Sequence, residues 1–158
     1  MRKALEAAAV AGERGEVPVG AVLVKDHRIV SVAFNERESA HDPTAHAEIL
    51  ALRAAAQDLQ SWRLCGADLY VTLEPCPMCA GALINARVRR VIYGCDDPKA
   101  GAVRSLYRLL EDVRFNHRVE VVPGVLADDC ARLLKAFFAN LRMARLATDA
   151  AKVVCADR

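Results

Sequence analysis

Pro75-Cys76-Pro77-Met78-Cys79 stands one residue, Glu74, behind the apolar run Leu69-Tyr-Val-Thr-Leu73, and that junction restricts the fold more than any other stretch. The run has the make-up of a buried strand. Pro77 suits the first position of a helix, where an N–H is not needed, so Cys76 is the expected N-cap and the helix runs to about Asn85. A strand turning straight into a helix is the opening of an α/β unit. Cys76 and Cys79, three residues apart, place both sulfurs on one side of the first turn, where the positive helix end favours thiolates. Such a clamp serves either a metal or a thioredoxin-like dithiol.

The rest of the chain extends the pattern. Helices are predicted from Arg2 to about Gly12, from Asp42-Pro43 to about Leu59 with Asp42 or Thr44 as cap, and from Val103 to Leu110. Strands are predicted at Val19–Val24 and Ile29–Phe34, joined by the turn Lys25-Asp26-His27-Arg28, and at Arg90–Gly94 and Val119–Val122. The last helix has the clearest period: Cys130, Leu133, Leu134, Phe137, Phe138 and Leu141 share one face. The fold class is therefore α/β and layered, and the opening hairpin makes the sheet mixed.

The 158 residues suit one domain, expected over residues 1–147, with a weakly patterned C-terminal tail at 148–158. A composition 54% hydrophobic excludes a disordered chain. No apolar run approaches the ~20 residues that span a bilayer, and Ala7–Ala11 is too short for a signal core. A cytoplasmic protein without membrane partners is expected. Cysteines at 65, 95, 130 and 155 are scattered and read as reduced thiols rather than a disulfide framework. Residues 1–84 carry 8 Lys+Arg against 11 Asp+Glu, whereas 85–158 carry 14 against 9. The basic second half suits an anionic partner such as RNA, or an ordinary solvated surface.

His46-Ala47-Glu48 decides what the two cysteines do. A closed structural zinc needs four protein ligands, and no second Cys pair or spaced His pair exists here. His46, Cys76 and Cys79 make three, leaving a fourth position for water, which is the arrangement of a catalytic site. Glu48 is the expected proton carrier. Positions i and i+2 do not share a helix face. His46 and Glu48 can therefore serve one site only if the metal lies off the helix N-terminus.

The combination H-x-E…P-C-x-x-C is the signature of zinc nucleobase deaminases. Gly15-Glu-Val-Pro-Val-Gly-Ala-Val22, Asp42-Pro-Thr-Ala-His-Ala-Glu-Ile49, Tyr70-Val-Thr-Leu-Glu-Pro-Cys-Pro-Met-Cys79 and Asn116-His-Arg-Val-Glu120 further resemble the bacterial tRNA adenosine deaminases. That resemblance implies a cytidine-deaminase-like three-layer α/β/α sandwich with about five strands, a homodimer, and one Zn²⁺ per chain. The implied reaction is hydrolytic conversion of adenosine to inosine at the wobble position of a tRNA anticodon loop. By the same resemblance Asn35 faces the target base and ribose, Pro18 and Val19 line the pocket, and Leu73 and Glu74 offer backbone groups. Asp97, Lys99 and Asn116 would lie beside neighbouring nucleotides. Arg132, Lys135, Arg142 and Arg145 on the last helix could hold RNA phosphates. The alternative is a deaminase of free bases or nucleosides, such as guanine or cytosine.

Overall fold

The computed structural model describes the backbone of residues 1–156 and the side chains of residues 1–147. Helix α1 (Arg2–Glu13) leads into a hairpin of β1 (Gly20–Lys25) and β2 (Arg28–Phe34). A single turn, α2 (Arg37–Ala40), precedes α3 (Ala47–Asp58); then come β3 (Asp68–Leu73), α4 (Pro77–Asn85) and β4 (Arg90–Cys95). A 3₁₀ turn at Leu109–Glu111, β5 (Glu120–Val122) and α5 (Ala127–Ala156) complete the chain.

Asp26 and His27 both take positive φ, 50° and 61°, the two-residue turn whose twist matches a hairpin, and Lys25 pairs with Arg28 across it. The five strands lie in the order β2-β1-β3-β4-β5. β1 is antiparallel to β2 and to β3, while β3, β4 and β5 run parallel, so the sheet is mixed as expected. Helices α1 and α5 contact each other and one side of the sheet; α3 and α4 contact each other on the opposite side. Burial follows: Ala21, Leu23, Leu69, Val71, Val91 and Tyr93 from the strands are enclosed with Ala51, Ala55, Ala80 and Leu83 from the helices. Gly20 lets α1, with its buried Ala4, Ala7, Ala8 and Ala11, come close to β1, since a Cβ on Gly20 would stand 2.1 Å from the Ala4 carbonyl oxygen.

Two predicted helices differ. The one expected from Asp42 begins only at Ala47, because Asp42 spends its Oδ1 on the amide and hydroxyl of Thr44, both at 2.7 Å, and closes a local turn instead. The helix expected over Val103–Leu110 is a loop ending in the 3₁₀ turn. The amides of Val103, Arg104 and Ser105 donate to the Glu74 carboxylate rather than along a helix. The backbone of α5 runs on past residue 147, so no break in helix marks the expected start of the 148–158 tail. The side chains of that tail, with Cys155, lie outside the described residues.

Candidate active site

Two helix N-termini meet at one point. His46 is the N-cap of α3 and Cys76 the N-cap of α4, each with extended backbone (φ −77°, ψ 149° and φ −74°, ψ 173°). Pro77 starts α4 as the sequence indicates, which puts Cys79 one turn further on. Because His46 precedes the first helical residue, its ring leaves α3 off the end rather than along a face. This resolves how His46 and Glu48 share a site. The imidazole Nδ1 is 3.7 Å from Cys76 Sγ and 3.6 Å from Cys79 Sγ. All three donor atoms lie within 4.8 Å of one another. A tetrahedral ion with Zn–S bonds of ~2.3 Å and Zn–N bonds of ~2.0–2.1 Å needs S···N edges of about 3.6 Å. The residues present therefore fit a metal, and both thiols are free rather than bonded to each other.

The electrostatics agree. The Cys79 thiol donates to Cys76, and with help from His46 this outweighs burial and holds Cys76 down at about 4. Cys79 is pushed up by the same bond and by burial. His46 is raised, chiefly through its bond with Cys76. Glu48, 4% exposed, is pushed up to about 7 by burial first and then by the Cys76 charge. Its carboxyl also meets the Cys79 thiol. A thiolate, a second thiol bonded to it and a carboxyl raised to about 7 thus stand together.

The surrounding residues hold these groups in place. Asn35 Oδ1 accepts the Ala47 amide at 3.0 Å, and its Nδ2 donates to the Val17 carbonyl at 3.1 Å. Asn35 thus ties the start of α3, next to His46, to Val17, which precedes the buried Pro18 and Val19. Leu73 is half-buried on β3 beside the core. Asp97 Oδ1 accepts the amides of Lys99 and Ala100, folding a turn that leaves Lys99 exposed. Asn116 stands apart, exposed, with its carbonyl accepting from Arg87 beside the groove between α3 and α4. No described hydrogen bond joins it to the His46–Cys76–Cys79 group. Arg142 and Arg145 are exposed on α5.

Two enclosed side chains carry more than their sequence context indicates. Glu16, 2% exposed, accepts the amides of Glu38 and Ser39 and the Ser39 hydroxyl, and so caps α2. The Glu74 side chain, also 2% exposed, organises the loop after β4. Both act across more than 20 residues, and no periodic pattern records such a bond. Gly101, where a Cβ would stand 2.2 Å from Glu74 Oε2, is a residue type that reflects such a bond.

Comparison with known proteins is consistent throughout. The MafB19-like deaminase family matches residues 1–142. A tRNA-specific adenosine deaminase of Bacillus subtilis (strain 168) is 51% identical over 142 residues, covering 90% of this chain and 88% of that protein. A solved structure from work on A-to-I editing by tRNA:A34 deaminases at the wobble position of transfer RNA superposes with TM-score 0.82 at 48% identity. It covers 85% of this chain and 97% of that one. A guanine deaminase from Bacillus subtilis shares 39% identity over 60% of this chain and 61% of its own, with TM-score 0.58. The mixed five-stranded sheet is the cytidine-deaminase-like fold of the tRNA:A34 neighbour. A His–Cys–Cys group at two helix ends that fits a metal, a buried carboxyl beside it and a family match across nine-tenths of the chain agree: this protein belongs to the MafB19-like deaminases.

Proposed function

We propose that this chain converts adenosine to inosine at the wobble position of a tRNA anticodon loop, water replacing the exocyclic amine and ammonia leaving. The observation that carries the chemistry is the tetrahedral spacing of His46 Nδ1 and the two sulfurs beside a buried Glu48. One zinc per chain is the ion that a set of two sulfurs and one imidazole nitrogen favours. Bound there, zinc supplies Lewis acidity that lets water ionise near neutral pH. Glu48 takes one proton of the attacking water and delivers it to N1 of adenine, then takes the second from the new C6 hydroxyl and gives it to the amine, which departs as ammonia. Enclosure of Glu48 keeps the carboxyl close to the acidity that both transfers need. Asn35 holds the α3 terminus and, with Pro18 and Val19, shapes the wall against which the base and ribose rest. The backbone groups of Leu73 and Glu74 face the amine.

The names of the 48–51% identical relatives favour adenosine in tRNA over a free base. An anticodon loop is single-stranded, so its base enters a pocket without breaking a pair. Asp97, Lys99 and Asn116 are assigned to the flanking nucleotides. Arg142 and Arg145 are assigned to phosphates. A second copy of the chain is assigned to the apolar groove between α3 and α4, about 520 Å³ in volume. Trp62 stands there 62% exposed. The deaminase domain is assigned to residues 1–147 and the tail to 148–158. Among the described residues no helix is long and apolar enough to cross a membrane, and a tRNA substrate supports a cytoplasmic location.

Incubation with a purified tRNA pool followed by sequencing tests this. Adenosine read as guanosine at the wobble position is the expected result. Consumption of free guanine or cytosine with untouched tRNA would replace it with the base-deaminase alternative.

A further inference from the structure

Glu74 lies outside the ligand triad, yet no other described carboxylate receives as many donors. Its oxygens accept the amides of Asp97 at 3.0 Å, Val103 at 3.0 Å, Arg104 at 2.7 Å and Ser105 at 2.9 Å, together with the Ser105 hydroxyl. Four amides from one irregular loop thus converge on a single carboxylate. The loop is also fastened to the strand end itself: Ala102 donates to the Pro75 carbonyl at 2.8 Å, and Glu74 N–H donates to Cys95 O at 2.9 Å. Pro75 is the residue immediately before the Cys76 ligand. Gly101 allows the close approach, since a Cβ there would stand 2.2 Å from Glu74 Oε2. The outward side of the loop presents two exposed cations, Lys99 and Arg104.

We propose that Glu74 is a positioning residue: its carboxylate fixes the 97–105 loop to the strand that delivers Cys76, and so sets where RNA beside the reacting base is gripped. This rests on the RNA-deaminase reading above. Lys99 and Arg104 act on the strand held in the site, while the triad and Glu48 do the chemistry. The loop contacts are made equally before and during reaction, so loosening the loop weakens substrate capture more than turnover.

The zinc-loaded wild-type protein, Glu74→Gln and Ser105→Ala are compared by amide hydrogen exchange, zinc content, and steady-state deamination of an anticodon stem–loop RNA. Glu74→Gln is expected to speed exchange at Asp97, Val103, Arg104 and Ser105 by at least about tenfold relative to Val71 in β3. KM should rise about tenfold with kcat changed less than about twofold and zinc retained at one per chain. Ser105→Ala removes one donor and leaves the carboxylate; it should shift the same quantities in the same direction by a smaller factor. It decides the matter if Glu74→Gln fails to fold. A fall in kcat at unchanged KM, zinc lost in step with activity, or exchange unchanged at the four amides would overturn the proposal. Wild-type protein inert toward RNA would instead sink the deaminase reading, and the exchange result would still decide whether Glu74 anchors the loop.

Discussion

Replacing Glu16 with glutamine removes one charge and one acceptor from an almost fully enclosed site without changing its shape. The carboxylate accepts the Ser39 amide at 2.8 Å, the Ser39 hydroxyl at 2.9 Å and the Glu38 amide at 3.2 Å. Hydrogen bonds to a charged group contribute ~1.5–3 kcal/mol and neutral ones ~0.5–1.5 kcal/mol, so the two Ser39 bonds lose about 1 kcal/mol each. The Glu38 amide then faces an NH₂ group, and its loss, the longest of the three bonds, adds about 1 kcal/mol more. A total near 3 kcal/mol lowers the Tm by about 6–12 °C in a domain of this size. The effect also has a pH signature. Burial pushes Glu16 upward, but the bonds from Ser39 and Glu38 outweigh it and leave the carboxyl below its ordinary 4.5. A lowered folded value means the stabilisation is complete above the unfolded value of ~4.3 and is lost as pH falls through the folded one. The gap between wild type and Glu16→Gln should therefore be constant from pH 7 to about 5.5 and shrink below about 4.5. Thermal melts followed by circular dichroism at pH 7 and pH 4 measure both. A gap under about 2 °C at pH 7, or one that widens in acid, would show that this carboxylate does not carry α2.

Other outcomes follow from the same geometry. Glu48→Gln should keep its zinc, measured by metal analysis, and lose about 10²–10⁴ of the deamination rate, because proton transfer at both ends of the reaction depends on that carboxyl. Stripping the metal with a strong chelator should abolish activity and expose Cys76 and Cys79 to alkylation, counted by mass spectrometry; in the loaded protein both should resist. Thiols that react equally before and after chelation would argue for a dithiol instead. Gly20→Ala sets a methyl 2.1 Å from Ala4 O and 2.6 Å from Ala8 N. Both atoms are backbone of α1, which cannot yield cheaply, so denaturant unfolding should show a loss of about 3 kcal/mol or more, and a near-neutral result would mean α1 shifts freely.

Some features are written within a few residues of sequence and were legible there. Pro77 is restricted by its own ring, so the start of α4 and the placing of Cys76 and Cys79 on its first turn follow from local sterics. The hairpin and the apolar face of α5 likewise depend on short periods. His46 and Glu48 are recognisable only alongside the cysteines, since chemistry and not spacing links them. Tertiary structure alone settles how the two N-caps meet and which segments give up helix for other partners. Residues 103–105 surrender their amides to Glu74, about 30 residues upstream, whereas the Asp42–Thr44 turn that delays α3 is a local bond between residues two apart. Glu16 reaches Ser39 across a similar divide. The physical reason is one of range. Propensity and periodicity act over one or two turns of chain, whereas a buried carboxylate must find donors wherever the fold brings them, and those partners exist only once the sheet has assembled.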